Sequence, residues 1–149
     1  MIIVDTNVLS ELIRQAPDPG VVGWVDSLPA TEVATTAITA AELLFGVGRL
    51  PDGRRKTELA DAVHALLHED FRERIEPFDT LAAVQYAAVV SDRERLGRPI
   101  TISDAQIAAI CRAHHATLAS RNVKDFEDTG VEVIDPWHPP AHHLDQPGE

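Results

Sequence analysis

The segment Ile2-Ile3-Val4-Asp5-Thr6-Asn7-Val8 decides the fold class of this chain. Its three apolar residues predict a short buried strand, and the pattern that follows predicts a helix over residues 6–14. Asp5 lies at the junction of the two. The chain therefore opens with a buried strand that ends at an acid and turns directly into a helix.

The remainder of the sequence repeats this alternation of strands and helices. Further strands are predicted at 33–38, 75–78, 117–120 and 131–134, helices at 39–47, 54–70, 79–96 and 103–115, and a short amphipathic segment at 21–28. Strands that alternate with helices favour a parallel sheet covered on both faces. We therefore predict a three-layer α/β/α domain with a mostly parallel central sheet.

The chain has the size of one domain. Its 149 residues are enough to bury a core, and no repeat or linker divides them. From Pro136 onward the sequence is rich in proline and histidine and lacks periodicity, so we predict one domain over 1–137 and a flexible tail over 138–149. A flexible tail gives its histidines (His138, His142 and His143) no rigid geometry for binding a metal.

Composition excludes several classes of protein. No apolar run approaches the roughly 20 residues that a membrane span needs, so no membrane association is expected. The first residues enter a strand without the basic and apolar regions of a signal peptide. Cys111 is the only cysteine, which excludes an intramolecular disulfide and a cysteine-based zinc site. Together these features predict a cytoplasmic protein.

The formal net charge of −11 is unusual for a protein that binds nucleic acid. It suits a basic partner protein, or cations that neutralise carboxylates. The basic residues are nevertheless grouped, and the three groups are Arg49 with Arg54, Arg55 and Lys56, then Arg93 with Arg95 and Arg98, then Arg121 with Lys124. Each group is explained either by solvated helix ends or by a local patch that guides RNA.

Several polar residues lie where predicted strands end or helices begin. Asp5 follows the first strand, Glu42 lies just after the second, and Asp104 opens a later helix. Asn122 and Asp125 follow the strand at 117–120. Because the carboxyl ends of parallel strands share one edge of a sheet, where ligands bind, these side chains are expected to meet in one pocket.

Helix capping is an alternative explanation for each acid. Asp5 fits an N-cap position, and two pairs, Thr39 with Glu42 and Ser103 with Gln106, fit the capping-box pattern. Asp104 is then a favourable charge in a first helical turn. Asp79 lies at a similar junction and needs only the capping role.

Clustering of the acids favours a metal site over capping alone. Several carboxylates at one edge repel one another unless protons or a cation neutralise them. An all-oxygen ligand set favours Mg²⁺ or Mn²⁺, and such an ion activates water and stabilises charge in phosphodiester hydrolysis. This chemistry needs neither a cysteine nor a catalytic histidine.

Four segments of the chain resemble the signature segments of PIN-domain toxins of the VapC and FitB-like group. The segments are Val4-Asp5-Thr6-Asn7-Val8, Ile38-Thr39-Ala40-Ala41-Glu42-Leu43, Ser103-Asp104-Ala105-Gln106-Ile107-Ala108 and Leu118-Ala119-Ser120-Arg121-Asn122-Val123-Lys124-Asp125-Phe126. They occur in the family's order and spacing, and the resemblance extends from residue 1 to about residue 137. It implies a toxin of a type II toxin–antitoxin system that acts as an Mg²⁺- or Mn²⁺-dependent endoribonuclease.

The resemblance also implies roles for individual residues. Asp5, Glu42 and Asp104 are the expected metal-binding and catalytic acids. Many PIN domains carry an aspartate where this chain has Asn122, so the fourth ligand is either Asn122 or the nearby Asp125. We expect Asp125 to be that acid.

Polar neighbours of these acids are expected to orient them. Thr6, Asn7, Ser103 and Asn122 are the candidates, since residues around a metal site fix the geometry of its ligands. Local hydrogen bonding at helix starts is the alternative role for these residues.

Partners follow from the same resemblance. It implies an RNA substrate, a homodimer, and a VapB-like antitoxin that blocks the site and supplies the DNA binding of the complex.

Two alternative functions belong to different classes of protein. One is a haloacid-dehalogenase-like phosphatase, which needs a second aspartate where this chain has Asn7. The other is a non-catalytic acidic module that binds a basic peptide.

Overall fold

A five-stranded parallel sheet forms the centre of the molecule. In the computed structural model, which describes residues 1–140, the strands are β1 (Ile2–Val4), β2 (Val33–Thr36), β3 (Ile75–Glu76), β4 (Thr117–Ala119) and β5 (Val133–Ile134). Their order is β3-β2-β1-β4-β5, and every neighbouring pair is parallel. The predicted α/β fold with a parallel sheet is confirmed, with β1 in the central position.

Helices cover both faces of the sheet. Residues 1–140 contain α1 (Thr6–Leu12), α2 (Pro19–Asp26), α3 (Ala37–Gly48), α4 (Arg54–Ala65), α5 (Thr80–Arg95) and α6 (Ile102–Ala113). The buried residues form two clusters, one packed with α5 and α6 and the other with α1 to α4. Ile3 belongs to the first cluster and Val4 to the second, as expected for a strand that is buried on both faces.

The second strand is shorter than predicted because a threonine ends it. The hydroxyl of Thr36 accepts a hydrogen bond from the Thr39 backbone N–H at 3.0 Å, and α3 begins at Ala37. Thr39 therefore lies inside the helix, and the predicted capping box of Thr39 with Glu42 is wrong. Glu42 lies in the second turn of α3, where no free backbone N–H needs it.

The other predicted capping box is also wrong. Thr101 caps α6, since its hydroxyl accepts a hydrogen bond from the Asp104 backbone N–H at 3.3 Å. The helix begins at Ile102, which places Asp104 in the first turn, as expected. Ser103 and Gln106 both lie within the helix.

Two further segments follow irregular paths. The predicted helix over 54–70 is regular only to Ala65, and a π-helical turn (Leu66–Asp70) continues it. A 3-10 turn (Val123–Phe126) follows β4 and carries Asp125. This turn places Asp125 beyond the carboxyl end of a strand that pairs with β1.

Only the start of the predicted tail lies within the described residues. His138 is exposed there, and its ring nitrogen is 3.4 Å from a carboxylate oxygen of Asp135. His142 and His143 lie outside the described residues, so the flexible tail stays a prediction. Among residues 1–140, no helix is both long enough and apolar enough to cross a membrane.

Candidate active site

Asp5 lies at the carboxyl end of the central strand and is 5% exposed. One of its carboxylate oxygens accepts a hydrogen bond from the Thr6 backbone N–H at 2.8 Å and so caps α1. The other accepts a hydrogen bond from the Ser120 hydroxyl at 2.7 Å. Because a carboxylate has about four acceptor positions, capping leaves room for a further ligand, and the two explanations of Asp5 are compatible.

Glu42 reaches this edge from α3. Its Oε1 accepts a hydrogen bond from the Thr6 hydroxyl at 3.0 Å, and the same hydroxyl lies 3.2 Å from that of Thr39. Thr6 follows Asp5 directly in the chain. The side chain of Thr6 therefore joins two helices and fixes Glu42 beside the first acid.

Ser120 is the site residue for which sequence analysis predicted no role. Its hydroxyl is fully buried; it donates to Asp5 and accepts hydrogen bonds from the Asn7 side-chain amide at 3.2 Å and the Asn122 backbone N–H at 3.1 Å. The carbonyl oxygen of the Asn7 side chain accepts a hydrogen bond from the Arg121 backbone N–H at 3.1 Å. One signal was available, because Ser120 is the last residue of the strand predicted at 117–120, at the same edge as Asp5.

Asp104 and Asp125 belong to α6 and to the 3-10 turn after β4, and the charge of Asp125 acts on both Asp5 and Asp104. Asp104 is half-buried in the first turn of α6, and Asp125 is exposed in the 3-10 turn after β4. Within residues 1–140, no hydrogen bond joins the side chains of Ser103 or Asn122 to an acid of the site. Their expected orienting roles stay predictions.

The pKa values show that these acids share one electrostatic environment. Burial raises the pKa of Asp5, the hydrogen bond from Ser120 opposes that rise, and the charge of Asp125 adds to it. Partial removal from solvent raises the pKa of Glu42, and the charges of Asp5 and Asp104 add to the rise. Burial likewise raises the pKa of Asp104, with contributions from the charges of Asp5 and Asp125.

The arrangement fits a hydrated cation better than a closed metal cage. Within the described residues, no three Asp, Glu, His or Cys side chains are close enough to hold an ion together. Mg²⁺ commonly binds through one or two carboxylates, with waters and substrate phosphate as the other ligands. A cation would also offset the burial and, to a smaller extent, the mutual repulsion that raise the pKa values of Asp5, Glu42 and Asp104. The acids therefore fit Mg²⁺ or Mn²⁺ held by one or two of them with water.

The profile of the PIN domain matches residues 2–132 of the chain. The chain belongs to the PIN-domain family. It is 40% identical over 138 residues to Toxin FitB of Neisseria gonorrhoeae, covering 93% of this chain and 99% of that protein. It is 36% identical over 139 residues to VapC ribonuclease Y4jK of Sinorhizobium fredii, with coverage of 93% and 99%. The family resemblance of the four sequence motifs is confirmed.

A solved structure shares the fold of this PIN domain closely. The structure of FitAB bound to an IR36 DNA fragment matches with a TM-score of 0.88 and 39% identity, covering 96% of this chain and 100% of that one. The predicted three-layer PIN fold is confirmed.

A groove of about 1210 Å³ extends from the acidic edge of this PIN domain between α1, α3 and α4. Thr6 and Glu42 lie at its end nearest the acids. Apolar side chains line it, and exposed arginines stand beside it; the apolar residues are Ile13, Leu43, Val47, Leu59 and Val63, and the arginines are Arg14, Arg54 and Arg55. We call this surface the α1–α3–α4 groove.

The second basic group of the sequence is not a free patch. Arg93 is buried, and Arg98 forms ion pairs with Glu127 at 2.9 Å and Asp128 at 2.7 Å. In the third group, the Arg121 guanidinium lies over the ring of Trp137 at 4.8 Å from its centroid. Arg121 is nevertheless exposed, and in the α1–α3–α4 groove Arg14 and Arg54 form ion pairs with Glu11 and Glu58.

Proposed function

We propose that this PIN domain is the toxin of a type II toxin–antitoxin pair and acts as a metal-dependent endoribonuclease. The observation that carries the proposal is the gathering of Asp5, Glu42, Asp104 and Asp125 at one sheet edge, where three of them have raised pKa values. The names of the relatives, a toxin and a ribonuclease, support it. The cytoplasmic location expected from the sequence belongs to the same proposal.

The side chains of the site prepare it for phosphodiester hydrolysis. Ser120 and the start of α1 fix Asp5, and Thr6 fixes Glu42, so two carboxylates keep their positions before any ligand arrives. Asp104 and Asp125 add negative charge to the same edge of the sheet. When bound, Mg²⁺ or Mn²⁺ supplies an activated water and stabilises the developing charge. Residues with this arrangement would bind one or two ions through oxygen atoms alone.

The family assignment bears on the two alternative functions, the phosphatase and the non-catalytic module, in different ways. Membership of the PIN-domain family leaves the phosphatase interpretation without support. A non-catalytic module that binds a basic peptide predicts the same acidic edge but no cleavage of RNA. An assay of RNA cleavage therefore distinguishes the ribonuclease from the non-catalytic module.

The assay compares the purified wild-type chain with Asp5→Asn and Asp104→Asn, in Mg²⁺ or Mn²⁺ and in EDTA. We expect cleavage of RNA by the wild type with either metal, reversible loss in EDTA, and a loss of more than about 100-fold in both variants. That loss exceeds the 10- to 100-fold typical of residues that only orient metal ligands. Full activity in chelated buffer, or wild-type activity of Asp5→Asn, would refute the proposal.

Asp79→Asn is the matched control for these variants. Asp79 is also an acid at the carboxyl end of a strand, and it caps α5 by accepting a hydrogen bond from the Ala82 backbone N–H at 3.0 Å. Asparagine caps helices about as well as aspartate. The control should therefore fold and cleave RNA like the wild type.

An antitoxin partner is the second part of the proposal. The α1–α3–α4 groove has the apolar lining that an amphipathic segment needs, and it ends at the acids. A basic residue of that segment would neutralise the carboxylates, with arginine adding bidentate hydrogen bonds. The net charge of −11 suits such a partner. The matching structure is that of FitAB bound to a DNA fragment, and we propose that this chain contacts DNA only through its antitoxin.

A homodimer completes the proposal. Leu81 and Val84 lie about one turn apart on α5 and are 69% and 63% exposed. Large apolar side chains grouped at the surface mark interaction sites more often than scattered ones do. A second copy of the chain is the partner that the family resemblance implies for such a surface.

A further inference from the structure

Arg93 is a buried cation with an unusual set of partners. It lies near the end of α5, is 5% exposed, and forms no ion pair with any carboxylate of residues 1–140. Its guanidinium donates only to backbone carbonyls. The acceptors and distances are Arg98 at 2.7 Å, Asp125 at 3.0 Å, Glu127 at 2.7 Å and Pro99 at 3.4 Å.

Burying a guanidinium is unfavourable unless its donors are satisfied. The planar group of arginine presents five N–H donors in a fixed arrangement, which suits several acceptors at once. A lysine ammonium cannot span the same set of carbonyls. The position therefore requires arginine for its geometry as well as for its charge.

The carbonyls that Arg93 binds belong to two different segments. Those of residues 98 and 99 lie in the loop that leads into α6, the helix that carries Asp104. Those of residues 125 and 127 lie in and just after the 3-10 turn that carries Asp125. One buried side chain thus ties together the supports of two acids of the candidate site.

The 3-10 turn is also held by the ion pairs of Glu127 and Asp128 with Arg98 and by a hydrogen bond from the Thr129 hydroxyl to the Phe126 carbonyl at 2.6 Å. Its own hydrogen bonds are local, from the Asp125 N–H to Asn122 at 3.1 Å and from the Glu127 N–H to Lys124 at 3.3 Å. Phe126 is buried beneath it, while the residues on either side are exposed. Among these contacts, Arg93 is the buried side chain that binds the backbone carbonyls on both sides of Phe126.

We propose that Arg93 is a positioning residue that holds the turn of Asp125 in place beside Asp5 and Asp104. This inference rests on the proposed function, because it assigns Arg93 to the support of a metal ligand. The charge of Arg93 also opposes the rise in the pKa of Asp104. The same side chain thus supplies both a mechanical link and a compensating positive charge behind the acids.

The test uses the full chain with Arg93→Lys, and with Arg93→Gln as a second variant in case an ammonium is not accommodated. Arg95→Gln is the control, because Arg95 lies in the same helical turn but is exposed and pairs with Asp92. Cooperative thermal unfolding establishes that each variant folds. Two quantities are then measured, namely amide hydrogen exchange in metal-free protein and the Mn²⁺ dissociation constant from the signal of free Mn²⁺.

Both Arg93 variants should exchange the amides of residues 122–127 about 10-fold faster, the equivalent of losing one charge-assisted hydrogen bond. Peptides from β1 should exchange as in the wild type. The Mn²⁺ dissociation constant should rise about 10-fold or more, and Arg95→Gln should match the wild type in both measurements. Unchanged exchange of 122–127, or wild-type Mn²⁺ affinity in a folded Arg93 variant, would overturn the proposal.

Failure of the proposed function gives a different pattern. If Asp5→Asn bound Mn²⁺ as tightly as the wild type, the assignment of the metal site would fail, whatever the Arg93 variants showed. The exchange measurement needs neither metal nor RNA, so it decides independently whether Arg93 holds the turn.

Discussion

Replacing Ser120 with alanine tests whether the candidate site is held together by one buried hydroxyl. The variant removes the 2.7 Å hydrogen bond to Asp5, in which the acceptor is a carboxylate. Hydrogen bonds to charged groups contribute about 1.5–3 kcal/mol, more than neutral ones do. Because both partners are buried, water cannot easily replace the lost donor.

The two hydrogen bonds that Ser120 accepts add less to this sum. They come from the Asn7 side chain and the Asn122 backbone, which lie toward solvent, where water can substitute. We therefore expect Ser120→Ala to lower the free energy of unfolding by about 2–3 kcal/mol. At about 2–4 °C per kcal/mol for a protein of this size, the melting temperature should fall by about 4–12 °C.

Denaturant unfolding in EDTA at neutral pH measures this change, and an unchanged slope shows that both proteins unfold from comparable states. Ser91→Ala is the control, since Ser91 is exposed on α5 and the chemical change is the same. The control should lie within about 0.5 kcal/mol of the wild type. A Ser120→Ala protein as stable as the control would refute the view that this hydroxyl holds Asp5.

Two further predictions concern cations and the antitoxin. Asp5, Glu42 and Asp104 have raised pKa values in the folded chain, so the folded chain binds more protons than the unfolded chain. The stability that these acids contribute is therefore lost as the pH rises from the ordinary carboxyl pKa through their raised pKa values. Mg²⁺ at 100 times its dissociation constant should add about 2.7 kcal/mol, with a larger shift in melting temperature at neutral than at acidic pH; equal shifts would count against these carboxylates as ligands. A co-purified antitoxin should compete with Mn²⁺ for the acidic edge, and replacing its basic residue nearest Asp5 should restore cleavage while binding partly persists. An antitoxin that leaves the edge open would contradict the proposed mode of inhibition.

The positions of the acids were predictable from sequence because parallel strands place their carboxyl ends together. An apolar run that ends at Asp5, and acids near the starts of two predicted helices, were enough to gather Asp5, Glu42 and Asp104 at one edge. The capping boxes failed for a physical reason. Threonines at 36 and 101, a few residues earlier, cap α3 and α6 instead, and a window of sequence does not show which of two hydroxyls a helix start will use.

The roles of Ser120 and Arg93 were not predicted from the sequence, because they depend on contacts between distant segments of the chain. Ser120 binds a residue 115 positions away in the chain, and its place at the end of a predicted strand indicates the edge where it lies but not the residue that it binds. Arg93 looked like part of a basic surface group with Arg95 and Arg98. Its burial follows from the packing of the end of α5 against the segments at 98–99 and 125–127, which only the folded chain reveals.

The central claim is that these acids support hydrolysis of RNA by a metal-activated water. The chemistry of the cleaved ends tests it most directly, when total RNA is treated with wild-type and Asp5→Asn protein in Mg²⁺ and the ends are mapped. Attack by water leaves no cyclic phosphate, and the family resemblance implies that the 3′-oxygen leaves, so we expect 5′-phosphate and 3′-hydroxyl ends at specific sites with the wild type and none with Asp5→Asn. Ends with a 5′-hydroxyl and a 2′,3′-cyclic phosphate, or the same ends from both proteins, would contradict the account.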